Sequence, residues 1–168
     1  MSYRLVLDAS TLILLAKTEL LPILLGEGKA VITPEVRDEA TVREDLFDAK
    51  IVAQLVTQGK LDICSAEGKI AHRLVLDFRL GLGEASSIAL AKELKAVLGT
   101  DDGVAIKACK ILGIPFVTAI HFLIQIYERK ELDCSLALVK LEKLQQFGRY
   151  NARILEEAIR YIEGGDFR

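Results

Sequence analysis

The chain has 168 residues, 51% hydrophobic and 27% charged, with a formal net charge of −2. That is enough apolar material for one folded domain with its own core, which excludes a disordered chain. The slight acidic balance excludes a generic polyanion binder but leaves room for a local basic groove.

Short apolar runs alternate with segments of helical period along the chain, the pattern of βαβ units and a parallel sheet. Leu5–Leu7 reads as the first strand, followed by a helix over 11–16 with Ser10 as its N-cap. A short helix over 19–25 ends near Gly26. Residues 30–33 form the second strand. Thr33 and Pro34 then serve as N-cap and first residue of a helix that runs through 35–40 and continues past Glu44. A helix over 47–58 closes near Gly59, and 61–64 is a short strand at an edge of the sheet. Residues 67–77 are helical, Gly81-Leu82-Gly83 is a break, and 84–94 is a helix of small residues. A strand at 96–98 leads into Thr100-Asp101-Asp102, a helix at 104–112 closes at Gly113, and a strand at 115–117 precedes a helix at 119–129. Two helices, about 136–147 and Ala152–Ile162, finish the chain. On the last one Ile154, Leu155, Ala158, Ile159 and Ile162 share a face, which packs on the core or meets a second copy or a partner.

No stretch is fit to span a bilayer. The run 11–25 is broken by Lys17, Glu19 and Pro22, and the run 114–127 is short and carries His121 and Gln125. The N-terminus lacks the basic start and cleavage region of a signal peptide, so a cytoplasmic location is expected. Cys64, Cys109 and Cys134 form no CxxC pair and read as reduced, buried thiols. Neither His72 nor His121 lies near a cysteine, which argues against zinc, and His121 reads as structural.

The chemistry-bearing residues are acids at strand ends and helix starts: Asp8 after the first strand, Glu39 in the second turn of the 33–34 helix, Glu84 after Gly83, and the pair Asp101-Asp102. Each alone is explained by the helix dipole and the unpaired N–H groups of a first turn. In an open parallel sheet, however, sites form outside the carboxyl ends of the strands: Asp8 and Asp101-Asp102 meet there if their strands are neighbours, and the helix starts at Glu84 and near Glu39 would face the same rim. Converging carboxylates repel and raise one another's pKa, which a hard divalent cation such as Mg²⁺ or Mn²⁺ relieves.

The segments "VLDASTLI", "TPEVRDE", "GLGEASSIALA" and "LGTDDGVAIKACKILGI" resemble, in this order and spacing, the successive motifs of the PIN domain, and more closely its prokaryotic VapC-like toxin branch. The resemblance runs from Tyr3 to about Phe147. It implies a Rossmann-like three-layer α/β/α sandwich around a parallel sheet, with a C-terminal helical extension over about 132–168 packed on a single domain 1–168. It also implies a Mg²⁺- or Mn²⁺-dependent ribonuclease leaving 5′-phosphates, a homodimer, and a small antitoxin partner. By position Asp8, Glu39, Glu84 and Asp102 match the family's acids, with Asp8, Glu84 and either Asp101 or Asp102 as metal ligands. Glu35 and Asp38 compete with Glu39, and Ser10 and Thr100 match polar positions that hydrogen-bond the carboxylates and water.

Lys107, Lys110, Arg73 and Arg79 are cations near these motifs and read as solvated surface charge. With no Trp and 6% aromatics, a stacking platform for single strands has little support. Phosphoryl transfer through an acyl phosphate on Asp8 is a weak competitor, because Ser10 stands where such phosphatases carry a second aspartate. The remaining alternative is a non-catalytic PIN scaffold that binds RNA or a protein.

Overall fold

The computed structural model describes residues 5–26 and 28–164; the ends 1–4 and 165–168 of the expected domain lie outside the described residues. In chain order the elements are β1 (Leu5–Leu7), α1 (Ala9–Lys17), α2 (Leu20–Leu25), β2 (Ala30–Ile32), α3 (Pro34–Thr41), α4 (Phe47–Thr57), β3 (Leu61–Ile63), α5 (Gly68–Phe78), α6 (Leu82–Leu94), β4 (Val97–Gly99), α7 (Gly103–Leu112), β5 (Phe116–Val117), α8 (Ala119–Glu128), α9 (Cys134–Phe147) and α10 (Ala152–Ile162).

Among the described residues the strands form one parallel sheet in the order β3-β2-β1-β4-β5, with β3 at an edge as expected. Val6 lies opposite Val31 in β2, and Leu5, Val6 and Leu7 lie opposite Val97, Leu98 and Gly99 in β4. Strand side chains alternate faces, and the core divides accordingly. Leu7 and Ile32 join α1, α2, α4, α8, α9 and α10 on one side. Val6 and Leu98 join α5, α6 and α7 on the other. Helices on both faces of a parallel sheet make the three-layer α/β/α sandwich. Space is tight at Gly99: a Cβ there would stand 2.5 Å from Leu7 Cδ2 and 3.1 Å from Phe122 Cε2, so any larger residue would have to displace these two packed side chains.

Several expectations are corrected. The helix begun at Thr33-Pro34 ends at Thr41 and does not continue past Glu44. The polar run Arg43-Glu44-Asp45 is exposed and has nothing to bury against the core, so the chain turns there and restarts as α4. The break before the small-residue helix is Arg79-Leu80-Gly81, because α5 ends at Phe78, α6 begins at Leu82 and Gly83 is buried in its first turn. The N-cap of α1 is Asp8, not Ser10: α1 starts at Ala9, and Asp8 accepts the N–H of Thr11. Of the three thiols only Cys109 is buried, while Cys64 and Cys134 are exposed. Burial, with the charge of Asp8 nearby, pushes the Cys109 thiol up to about 11, which leaves it inert.

The apolar face of α10 is used in part. Leu155, Ala158 and Ile162 are buried against the core, while Ile154 and Ile159 remain 38% and 39% exposed. No helix among the described residues is long and apolar enough to cross a membrane.

Candidate active site at the carboxyl ends of the central strands

Because β1 lies between β2 and β4, the segments that follow these three strands emerge side by side. They deliver Asp8, Thr33-Pro34 and Thr100-Asp101-Asp102 to one rim of the sheet. The α6 N-terminus reaches the same rim: Thr33 Oγ1 and Ser86 Oγ lie 2.8 Å apart, tying the start of α3 to the first turns of α6.

Asp8 is fully buried. Its Oδ1 accepts from Ser10 Oγ at 2.7 Å and from the Thr11 N–H at 3.0 Å, and its Oδ2 accepts from Thr100 Oγ1. Both hydroxyls also accept. Ser10 Oγ takes the Asp101 N–H at 3.0 Å, and Thr100 Oγ1 takes the Asp102 N–H at 3.3 Å. The two hydroxyls thus bridge the Asp8 carboxylate to the backbone of the β4–α7 loop. Burial raises the Asp8 pKa to about 6 with a smaller push from Asp101, outweighing the three hydrogen bonds that favour the anion.

The acidic pair divides its work. Asp101 holds elements together: its Oδ2 accepts from Thr11 Oγ1 and from the Ala119 N–H at 3.0 Å, and its Oδ1 accepts from the Tyr150 hydroxyl at 2.7 Å. Asp102 caps α7 through Oδ1 alone, which takes the N–H groups of Val104 at 2.9 Å and Ala105 at 2.8 Å. Its Oδ2 accepts no hydrogen bond among the described residues.

The second pair lies on the helices. Glu39 is exposed on α3 and Glu84 is half-buried in the first turn of α6. Partial burial and the charge of Glu84 raise the Glu39 pKa. A Cβ at Gly83 would come 3.0 Å from Glu39 Oε2, and a side chain at Gly81 would run into the Glu84 carboxylate, so both acids lie over this glycine-flanked turn. Glu35 sits on the same helix with Oε2 buried and no hydrogen-bond partner among the described residues. Asp38 is engaged by Arg37, 2.6 Å away.

Five acids therefore stand on one rim: Asp8 beside Asp101, Asp102 at the start of α7, and Glu39 beside Glu84. Among the described residues no three acidic, histidine or cysteine side chains are close enough together to enclose a metal ion. His121 is exposed on the first turn of α8, with Nδ1 2.8 Å from Thr118 Oγ1. Sequence reasoning passed over Thr11 and Tyr150, the two hydroxyls that hold Asp101; nothing in their local sequence marks them.

A family model described as DUF3368, a PIN domain, matches residues 4–163. The chain belongs to this family of PIN domains. The crystal structure of PAE2754 from Pyrobaculum aerophilum is similar in fold, with a TM-score of 0.56 at 18% identity over 76% of this chain and 99% of that one. No curated protein sequence matches significantly. PIN domains are in general nucleases, and this PIN domain presents its carboxylates at the carboxyl ends of its strands, the edge where open parallel sheets in general bind ligands.

Proposed function

We propose that this PIN domain is a Mg²⁺- or Mn²⁺-dependent endoribonuclease of the cytoplasm. The observation that carries the reading is Asp8. A carboxylate buried at the end of the central strand, its pKa pushed to about 6 and both oxygens held by hydroxyls, is a costly arrangement for a helix cap alone. The donor set around it is all oxygen, which fits a hard divalent cation.

Asp8, Glu84 and Asp102 would hold one or two such ions, which when bound supply Lewis acidity toward a phosphate oxygen and an activated water. Asp102 is the better donor of its pair, since the free Oδ2 leaves it a position that Asp101 has already spent on the fold. Ser10 and Thr100 hold the Asp8 carboxylate in one orientation. Glu39, its affinity for a proton raised, orients the attacking water. Asp8 is locked, whereas Glu39, Glu84 and Asp102 lie nearer solvent.

The resemblance of the motif series to the VapC-like branch supports a toxin role, with a homodimeric assembly and a small antitoxin as partner. One observation favours a second reading, a non-catalytic scaffold that binds RNA or protein: among the described residues no three acids are close enough together to enclose a metal ion. RNA cleavage decides between them. The purified protein should cut single-stranded RNA in Mn²⁺ or Mg²⁺, leave 5′-phosphate ends, and stop in EDTA. A preparation that is folded and cuts no RNA with either metal sinks the nuclease reading and leaves the scaffold.

A further inference from the structure

Tyr150 lies beyond the last motif of the family resemblance, on the link between α9 and α10, yet its hydroxyl donates to Asp101 Oδ1 at 2.7 Å. The other oxygen of Asp101 accepts from Thr11 on α1 and from the first N–H of α8. Asp101 is thus a three-way joint between α1, α8 and the C-terminal link. Its own N–H donates to Ser10 Oγ, which donates onward to Asp8. A carboxylate offers about four acceptor positions, so these three donors leave Asp101 little freedom to turn.

The Tyr150 ring is confined from its other side. Gly148 has an extended backbone, φ −101° and ψ 173°, that any residue adopts, so the requirement there is space. A Cβ on Gly148 would stand 2.5 Å from Tyr150 Cε2 and 2.9 Å from the Leu144 carbonyl oxygen. The C-terminal helices do not depend on this contact for attachment. The Tyr127 hydroxyl donates to the Ile162 carbonyl at 3.0 Å, and Leu155, Ala158 and Ile162 are buried. Removing the Tyr150 hydroxyl therefore loosens Asp101 without releasing the helices. Burial, then the Asp101 charge, raise the Tyr150 pKa, which keeps the hydroxyl a donor.

We infer that Tyr150 is a positioning residue of the acidic site: acting from the C-terminal link, it fixes Asp101 and, through the backbone of residues 100–102, sets where Thr100 and Asp102 present their oxygens. In its metal-binding consequence this rests on the nuclease reading. A plain strut, by contrast, changes stability and leaves metal binding untouched.

The test compares the full-length wild type, Tyr150→Phe and Gly148→Ala by Mn²⁺ titration calorimetry and, without metal, by amide hydrogen exchange. Both variants should bind Mn²⁺ about 10-fold more weakly, within the range for groups that orient metal ligands. The amides of Asp101 and Ala119 should exchange several-fold faster, while those of Val6 and Leu98 in the central strands stay unchanged. In RNA cleavage kcat should fall and KM stay the same. Wild-type Mn²⁺ affinity in both variants, with or without a lowered unfolding midpoint, overturns the inference. If the wild type itself binds no Mn²⁺, the nuclease reading falls and hydrogen exchange alone judges the positioning. Faster exchange confined to Asp101 and Ala119 then upholds it, and unchanged exchange overturns it.

Discussion

The two acid pairs on the rim are built in opposite ways. Asp8 and Asp101 are gripped by hydroxyls and backbone N–H groups from α1, α8 and the C-terminal link, and Asp8 is fully buried. Glu39 and Glu84 lie over a glycine-flanked turn, nearer solvent, and repel each other. The first pair is set in place by folding and carries a desolvated charge. The second keeps its rotational freedom and gives up little stability. A site that must hold an anion rigidly and yet admit an ion and a substrate needs both kinds.

The largest expected effect comes from neutralising the buried member. Asp8→Asn should lower RNA cleavage in Mn²⁺ by at least about 10²-fold, since a ligand matters no less than the groups that orient it. The same change should leave the unfolding midpoint in EDTA at pH 7 equal or higher, because asparagine still caps α1 and the desolvated charge is gone. The sign follows from proton binding. Asp8 holds its proton up to about pH 6 when folded and up to about pH 4 when unfolded, so the folded state binds more protons in that window. Metal-free stability should therefore fall as pH rises from about 4 to 6, by an Asp8 contribution on the order of 2 kcal/mol that Asp8→Asn removes. Denaturant melts of both proteins at pH 4.5 and 7 measure the difference; parallel pH profiles would show that the Asp8 charge is not strained.

Next in size is the division within the acidic loop. Asp101→Asn should cost stability, about 1–3 kcal/mol, by weakening three hydrogen bonds to a charged acceptor. Asp102→Asn should stay within about 0.5 kcal/mol, since asparagine caps α7 as well, yet abolish cleavage. If Asp101→Asn is the inactive but stable variant, the assignment of the pair is reversed. Thr100→Ala should lower Mn²⁺ affinity about 10–100-fold, a smaller loss than that of Asp8 itself.

The smallest effect belongs to exposed Glu39. Glu39→Gln should change metal-free stability by less than about 0.5 kcal/mol, because the side chain is solvated and its repulsion from Glu84 is screened. It should lower kcat without removing Mn²⁺ binding; an unchanged kcat would transfer its role to Glu35.

The alternation of strands and helices was legible because apolar runs ending in an acid, Thr33-Pro34 and Gly113 carry local signals, whereas the order of the strands in the sheet was not, since pairing distant in sequence sets it. The place of Asp8 at a strand end was legible, but which residue caps the helix was not: Ser10 is an equally good cap by type, and only the helix start at Ala9 decides. The split between Asp101 and Asp102 was illegible because it is made through space, by Thr11 at a separation of 90 residues and by Tyr150 at 49. The early end of α3 was hidden for a different reason: Arg43, Glu44 and Asp45 have acceptable helix propensities, and the absence of a core for them to pack on decides the outcome.

Mn²⁺ titration calorimetry on wild type and Asp8→Asn, with unfolding midpoints measured on the same samples in EDTA, tests the central claim most directly. The wild type should bind Mn²⁺, and Asp8→Asn should lose that binding while unfolding at the same or a higher temperature. An Asp8→Asn protein that binds Mn²⁺ as tightly as the wild type would contradict the account and return Asp8 to the role of a helix cap.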